Sequence, residues 1–308
     1  MQYINSNLFF DPYDGIPSAF ISNPETNPEN RKTCILCLFG VISRGRAAWE
    51  TIKQRIYDVL VQNGFNVKVF VYNLDIGDQL VDGVQLNHDL SYLPFDYHLE
   101  SEKQPDVDVN IDAMCLNRNC GFHNYTKKQS RNALRQMYSE NAVANFLAYN
   151  NADIAVVCGP DFYIANDINI NHIRDAMTCT CVYTSQVNPS GGYTNGFYFG
   201  KPSIVAKIMK RLELYDRSGH LHNKYNYESY VKYAFTSHKI PHKLTDIVFF
   251  KVRANGHIRW AGDKQTHFLS SSAKKLVIAE YNRISSQAPT LVETFNDENG
   301  GEDGCEFN

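Results

Sequence analysis

The chain has 308 residues, 43% of them hydrophobic and 20% charged, enough apolar matter to bury one large core or two small ones. Its 30 Lys and Arg against 33 Asp and Glu leave a formal charge of -3, a balance that excludes a protein whose main work is to hold nucleic acid by its phosphates. The start lacks the basic and apolar regions of a secretory signal, and no run approaches the roughly 18 apolar residues of a membrane helix. The expectation is a soluble protein of the cytoplasm.

Residues 1–32 carry Pro12, Pro17, Pro24, Pro28 and many Asn, a composition that breaks regular structure and reads as an N-terminal extension. From 33 to 39 the run TCILCLF is apolar and rich in strand formers, and Gly40 and a Ser-Arg-Gly-Arg segment follow it. Ala48, Trp49, Ile52, Ile56, Val59 and Leu60 then recur at helical spacing, with Gly64 where a helix ends. FNVKVFVY, 65–72, returns as a second strand. A strand, helix, strand opening of this kind places ligands at the carboxyl edge of a parallel sheet.

Residues 74–128 show weak periodicity and read as irregular with short elements. In 131–149, Leu134, Met137, Tyr138, Ala142, Phe146 and Leu147 share one helical face, with Ser130 as the candidate N-cap. A short apolar strand, 154–158, ends in Gly159, Pro160 and Asp161. Residues 178–184 alternate as a strand, GGYTNGFYFG (191–200) reads as a loop and strand, and Pro202 opens a helix. A further helix is expected over 227–237, and IVFFKVR, 247–253, as a last core strand. Beyond Arg283 the only charges are six acids, Glu293, Asp297, Glu298, Glu302, Asp303 and Glu306; removing them from -3 leaves the preceding part at about +3.

Eight cysteines, at 34, 37, 115, 120, 158, 179, 181 and 305, have neither disulfide-scaffold density nor paired zinc-finger spacing, so free thiols are expected. Cys34 and Cys37 form a C-x-x-C, but within an apolar strand such cysteines are ordinary small hydrophobes. No G-K-[ST] follows Gly40 and no G-x-G-x-x-G follows the first strand, which disfavours P-loop and dinucleotide folds.

The order of Gly40 and Arg44, the VFVYN run of 69–73, the helix with Arg131, Arg135, Met137, Tyr138 and Ser139, and DIAVVCGPDFYI resembles GT-A-type glycosyltransferases, in particular those of large DNA viruses and of bacterial surface-polysaccharide loci. TNGFYFG (194–200), YESYVKY (227–233) and FFKVRANG (249–256) continue the resemblance. It implies an α/β fold, a Rossmann-type mixed sheet flanked by helices in a single large domain. Its expected parts are an extension (1–32), a nucleotide-sugar-binding half (33–170), an acceptor-binding half (171–268) and a C-terminal segment with the acidic tail (269–308).

Two departures qualify the likeness. Where the family carries Asp-x-Asp, this chain has Gly159-Pro160-Asp161, with one acid, and where many relatives have His-x-Trp it has Tyr72-Asn73-Leu74. One carboxylate still suits Mn²⁺ or Mg²⁺ if waters and a diphosphate complete the shell.

The activity implied is transfer of a sugar from a nucleotide-sugar donor to a glycan or glycoprotein acceptor, a hexosyl or pentosyl transfer. The alternative is a non-catalytic nucleotide- or glycan-binding relative. Asp161 is the candidate metal ligand and catalytic acid of the donor site, with Gly40, Arg44, Tyr72 and Arg135 as further donor contacts, since guanidinium groups match phosphate geometry. Glu228, opening a helix, is the candidate general base, although an acid there also suits the helix dipole. Tyr193 and Asn195 are candidate acceptor contacts. His220, His222 and His257 are weaker candidate ligands, and Tyr198 and Trp260 candidate sugar platforms.

Overall fold

The computed structural model describes residues 31–116, 120–187, 192–218, 224–260, 271–287 and 292–294. In chain order these form β1 (Thr33–Gly40), a 3-10 turn (Ile42–Gly45), and a helical run with α1 (Trp49–Ile52) and α2 (Asp58–Gln62) joined by one wide turn, Lys53–Tyr57. There follow β2 (Asn66–Asp75), the short strands β3 (Leu80–Val81) and β4 (Val84–Gln85), β5 (His98–Lys103), α3 (Gln104–Cys115) and α4 (Lys127–Tyr149). Next come β6 (Ile154–Cys158), β7 (Phe162–Ile164), α5 (Ile170–Thr178), β8 (Val182–Ser185) and β9 (Phe197–Gly200). The rest is α6 (Pro202–Met209), α7 (Arg211–Ser218), α8 (Tyr227–Ser237), β10 (His242–Thr245), β11 (Phe249–Val252), β12 (Ile258–Trp260), α9 (Ser271–Gln287) and β13 (Val292–Thr294).

The central sheet has seven strands in the order β10-β8-β9-β6-β1-β2-β5. All neighbours run parallel except β9, which is antiparallel to both β6 and β8. The α/β class expected from sequence, a mixed sheet flanked by helices, is therefore the one the chain forms. Side chains alternate across a strand, and β1 divides accordingly. Cys34, Leu36 and Leu38 pack with Trp49, Ile52, Ile56 and Leu60 of the first helical run. Ile35, Cys37 and Phe39 pack on the other face with Val143 and Leu147 of α4 and Val205 and Met209 of α6.

A second sheet, β13-β12-β11-β7, lies against the first of these faces. Its residues Phe162 and Phe249 stack with ring centroids 4.0 Å apart. Within the segment 247–253, expected as a last core strand, β11 is buried in this core and pairs with β7 and β12 of the smaller sheet.

Several boundaries differ from the sequence expectation for identifiable reasons. Thr126, not Ser130, caps α4: its hydroxyl accepts from the Gln129 backbone, and the Gln129 side chain accepts from the Thr126 N–H. The Ser130 hydroxyl is committed to the Phe122 N–H at 3.2 Å. Residues 178–181 are the end of α5 and a turn, so β8 begins only at Val182. The stretch read as irregular holds β5 and α3; β5 is HLESEK, an edge strand with one aliphatic residue, and Pro105 starts α3.

The expectation of free cysteines is overturned at two places. Cys115 pairs with Cys120 and Cys179 with Cys181, with Cα atoms 5.6 and 5.4 Å apart, within disulfide reach. The turn after α5 brings the second pair together, and the first ties the end of α3 to the segment before α4; spacing alone indicated neither. Cys34, Cys37 and Cys158 are buried free thiols. Cys34 and Cys37 fall on opposite faces of β1, so their C-x-x-C cannot act as a pair. Most of the N-terminal extension and of the acidic tail, with five of its six acids, lie outside the described residues, as do His220 and His222. Among the described residues no helix is long and apolar enough to cross a membrane.

Candidate functional site

The parallel strands β1, β2 and β6 end at one edge of the central sheet, where β9 begins because it runs the other way. Four elements converge there: the turn after β1, the turn after β6, the loop before β9, and the start of α8. Each is held by backbone contacts that only particular residues allow.

Gly40 closes β1 with φ +104 and nothing within 4 Å of a notional Cβ, so it turns the chain rather than making room for a neighbour. Gly45 does the opposite. A Cβ there would lie 1.8 Å from the Pro160 carbonyl oxygen, so the 3-10 turn rests directly on the Pro160–Asp161 backbone. Arg44 is thereby set beside Asp161, its Nε 3.9 Å from Asp161 Oδ2. The same Nε is 3.7 Å from Asp82 Oδ2 and, though buried, makes no hydrogen bond.

Asp82 sits at the tip of the β3–β4 hairpin with φ 51, followed by Gly83 at φ 74, the paired left-handed residues of a tight hairpin turn. It accepts a 2.8 Å hydrogen bond from the Ala254 N–H and lies 3.8 Å from the Arg253 guanidinium. The Asp161 carboxylate, by contrast, accepts no hydrogen bond among the described residues; its one charged neighbour at contact distance is Arg44. Its own carbonyl is bonded to the Val252 N–H at 2.8 Å, tying the acid to β11.

On the other side of Asp161 the Gly159 N–H donates to the Gly196 carbonyl at 2.8 Å, which joins the β6 turn to the loop before β9. Gly196 has φ +78 and packs against the Phe162 ring. Asn195 is buried and donates through Nδ2 to Glu228 Oε1 at 3.1 Å. Tyr125 reaches Glu228 Oε2 with its hydroxyl at 3.4 Å. Gly192 lets the loop lie on the first turn of α8, since a Cβ there would meet the Glu228 carbonyl at 2.0 Å. The Tyr193 N–H donates to that carbonyl at 3.1 Å.

Asn226 is the N-cap of α8, accepting from the Ser229 N–H, so Glu228 falls in the first turn. Burial pushes the Glu228 carboxyl above the ordinary carboxylate range, against the opposing pull of Lys251, of its own backbone N–H and of Tyr125. Lys251, on β11, also lies 5.9 Å over the Phe162 ring. A largely desolvated carboxyl with two fixed hydrogen-bond donors can take a proton from a hydroxyl, while the Asp161 rim can hold charge.

Beneath this edge lies a fully buried ion pair. Arg211 NH2 bonds Glu140 Oε2 with both side chains at 0% exposure. Gln136 and Tyr227 donate to Glu140 Oε1 at 3.1 and 3.4 Å. The Tyr198 hydroxyl accepts from the Gly196 N–H at 3.0 Å, linking the loop to this network.

The structure brings Asp161, Arg44, Asn195 and Glu228 to one edge and gives three other candidates different work. Arg135 forms a two-pronged ion pair with Asp108 of α3, at 2.8 and 2.7 Å. Tyr72 is buried and donates to Glu102 Oε2 at 2.9 Å, while Tyr138 donates to the other oxygen at 3.0 Å. Burial and that carboxylate raise the Tyr72 hydroxyl well above its ordinary pKa. Tyr193 stacks on His242 at 3.6 Å and meets Phe235 edge-on at 5.1 Å. Burial, with Lys232 nearby, lowers the His242 pKa to about 4.

Sequence reasoning missed Asp82, Tyr125, Lys251 and Arg253. For Asp82 a signal existed: Val81-Asp82-Gly83-Val84 is an Asp-Gly hairpin sequence. The donor set at Asp161 is hard oxygen only, Asp161 with Asp82 nearby, and the uncommitted carboxylate fits Mn²⁺ or Mg²⁺ if diphosphate and water oxygens complete the shell.

The sequence matches no family model and no curated protein. Among solved structures the chain is similar to mouse xyloside xylosyltransferase 1 in its apo form, at 8% identity and a TM-score of 0.40, with 70% of this chain and 85% of that one covered.

Proposed function

We propose that the chain is a nucleotide-sugar-dependent glycosyltransferase acting on a glycan or glycoprotein acceptor. The observation that carries the reading is the pairing, at one sheet edge, of an uncommitted acid beside a guanidinium with a desolvated glutamate held by two hydrogen-bond donors. These are the two halves that displacement at an anomeric carbon needs: a cradle for a leaving diphosphate, and a base for the incoming hydroxyl.

In this reading Asp161, with Asp82, would hold a divalent cation, which would supply charge neutralisation for a leaving diphosphate. Arg44 adds a fixed guanidinium on the same side, placed by the Gly45 contact. Glu228 accepts the acceptor hydroxyl proton as the new oxygen–carbon bond forms and the bond from carbon to phosphate oxygen breaks. Asn195 and Tyr125 keep the Glu228 carboxyl in one rotamer, so its reach to the hydroxyl is set in advance. Arg135 and Tyr72, being committed to Asp108 and Glu102, act at one remove: the first ties α3 to α4 and the second ties β5 to β2.

The test is turnover of a panel of UDP- and GDP-sugars by the wild type and by Glu228→Gln and Asp161→Ala, with circular dichroism to confirm folding. The reading requires donor consumption by the wild type and its loss in both variants. Nucleotide binding with no turnover across the panel would favour a non-catalytic nucleotide- or glycan-binding protein. Full turnover by folded Asp161→Ala would remove the donor-site assignment.

A further inference from the structure

At the opposite, amino edge of the central sheet the turn between α5 and β8 gathers a second set of reactive groups. Asp175, Cys179 and Cys181 place a carboxylate oxygen and two sulfurs all within 4.8 Å of one another, and no other such three-residue group is present among the described residues. Asp175 lies one helical turn before Cys179, whose N–H bonds the Asp175 carbonyl at 3.0 Å, so the two side chains share a face. Cys181 follows across a one-residue turn, and its N–H points at Cys179 Sγ at 3.3 Å.

We propose that in the reduced chain these three side chains hold one borderline-soft divalent cation of the zinc class, with water in the fourth position, and that the disulfide present in the structure is the cation-free form. Two thiolates and one carboxylate are a soft-to-borderline donor set, unlike the all-oxygen set at Asp161, and such a set prefers tetrahedral Zn²⁺ to Mg²⁺ or Ca²⁺. A carboxylate ligand needs partners that orient it. Asp175 Oδ2 has them, Lys243 Nζ at 2.6 Å and the Tyr183 hydroxyl at 2.9 Å, which leaves Oδ1 for the ion. The N–H on Cys179 Sγ stabilises thiolate there. Cys181 is buried and Cys179 partly so.

The two forms exclude each other. A small-molecule disulfide accepts two electrons from the two thiolates: the Cys179–Cys181 S–S bond forms, the reagent's S–S bond breaks, and its two halves leave as thiolates that take protons from water according to their pKa, while the cation is released. No part of this cluster belongs to the Asp161 and Glu228 edge.

The experiment uses the full chain, reduced with a phosphine and titrated with Co²⁺ as a spectroscopic probe. One equivalent should bring up a sulfur-to-cobalt charge-transfer band, which Zn²⁺ abolishes by displacement. Oxidation with an aromatic disulfide before titration should remove the band and renewed reduction restore it. The Cys179→Ser and Cys181→Ser double variant should show no band. Asp175→Asn, which keeps both thiols, should bind at least about tenfold more weakly. Absence of the band in the reduced wild type, or its survival in the double variant, overturns the proposal; so does unchanged Co²⁺ affinity in Asp175→Asn if the double variant does not fold.

Discussion

Replacing Gly45 by alanine adds one methyl group and no charge, yet it should disable the site. The new Cβ would stand 1.8 Å from the Pro160 carbonyl oxygen, 2.2 Å from its carbon and 2.8 Å from the Asp161 nitrogen, all backbone atoms, where real Cβ atoms keep beyond 3.0 Å. Either the 3-10 turn or the Pro160–Asp161 turn must therefore move by about 1.2 Å, the difference between 3.0 and 1.8 Å. Arg44 and Asp161 are then pulled apart, and a misplacement of about 1 Å at a reacting centre costs about 100-fold in rate. At about 1.36 kcal/mol per decade that is about 2.7 kcal/mol of transition-state stabilisation.

Overpacking should also cost about 1–3 kcal/mol of stability, or roughly 2–4 °C of melting temperature for each kcal/mol. Gly64→Ala separates the two effects. Gly64 has φ +84 and open space around it, at the end of α2 and away from the site, so alanine there costs about 1–2 kcal/mol through backbone strain alone. The assay is kcat/KM for donor consumption alongside thermal unfolding of both variants. Gly45→Ala should lose about 100-fold in kcat/KM while Gly64→Ala loses stability only. Equal activity losses, or wild-type turnover in Gly45→Ala, would refute the placement of Arg44 and Asp161 by this contact.

Glu228 holds its proton more tightly folded than unfolded, so its contribution to stability is full at acid pH and is lost as pH rises through the folded pKa. Glu228→Gln should then raise the melting temperature more at neutral than at acid pH while abolishing turnover, and wild-type kcat should fall as pH drops through a value above the ordinary carboxylate range; a Tm difference independent of pH would contradict this. Glu140→Gln leaves the buried Arg211 charge uncompensated and should destabilise by about 3–5 kcal/mol in denaturant unfolding, whereas Glu140→Leu combined with Arg211→Met should recover most of that loss. For His242 the folded pKa is about 4 against an ordinary value of 6.5. Its neutral form therefore favours the fold above 6.5, and that support erodes as pH falls toward about 4. An imidazole titration followed by NMR that centres near 6.5 would show that the Tyr193 stack does not exclude the charged ring.

The elements legible in the sequence are those with two-sided or one-sided burial. β6 and β9 are buried along their whole length and β1 at all but its two end residues, so they read as apolar runs, and α4, α6 and α8 show their apolar faces at helical spacing. β5 was illegible because an edge strand keeps polar residues on both faces, and α3 because only Gln104, Val107 and Ile111 of its twelve residues are buried. At the proposed site, Asp161, Arg44, Asn195 and Glu228 were legible as candidates because each adjoins a readable strand or opens a readable helix. Lys251 and Arg253 were not, since they reach the edge only through pairing of β11 with β7, a long-range contact without local signature. Arg135 and Tyr72 illustrate the converse. Their residue types suit phosphate and base contacts, but whether such a group faces a ligand or an internal carboxylate is decided by the neighbouring elements, here α3 and β5.

The claim on which the rest depends is that Asp161, with Arg44, receives the diphosphate of a nucleotide. Calorimetric titration of UDP and GDP, with and without Mn²⁺, into the wild type and Asp161→Ala tests it most directly. The account predicts Mn²⁺-enhanced binding of one of the two nucleotides to the wild type and loss of that enhancement in the variant, at least about tenfold in Kd, one decade being about 1.4 kcal/mol. Undiminished Mn²⁺-enhanced binding by Asp161→Ala, or no binding of either nucleotide by the wild type, would contradict it.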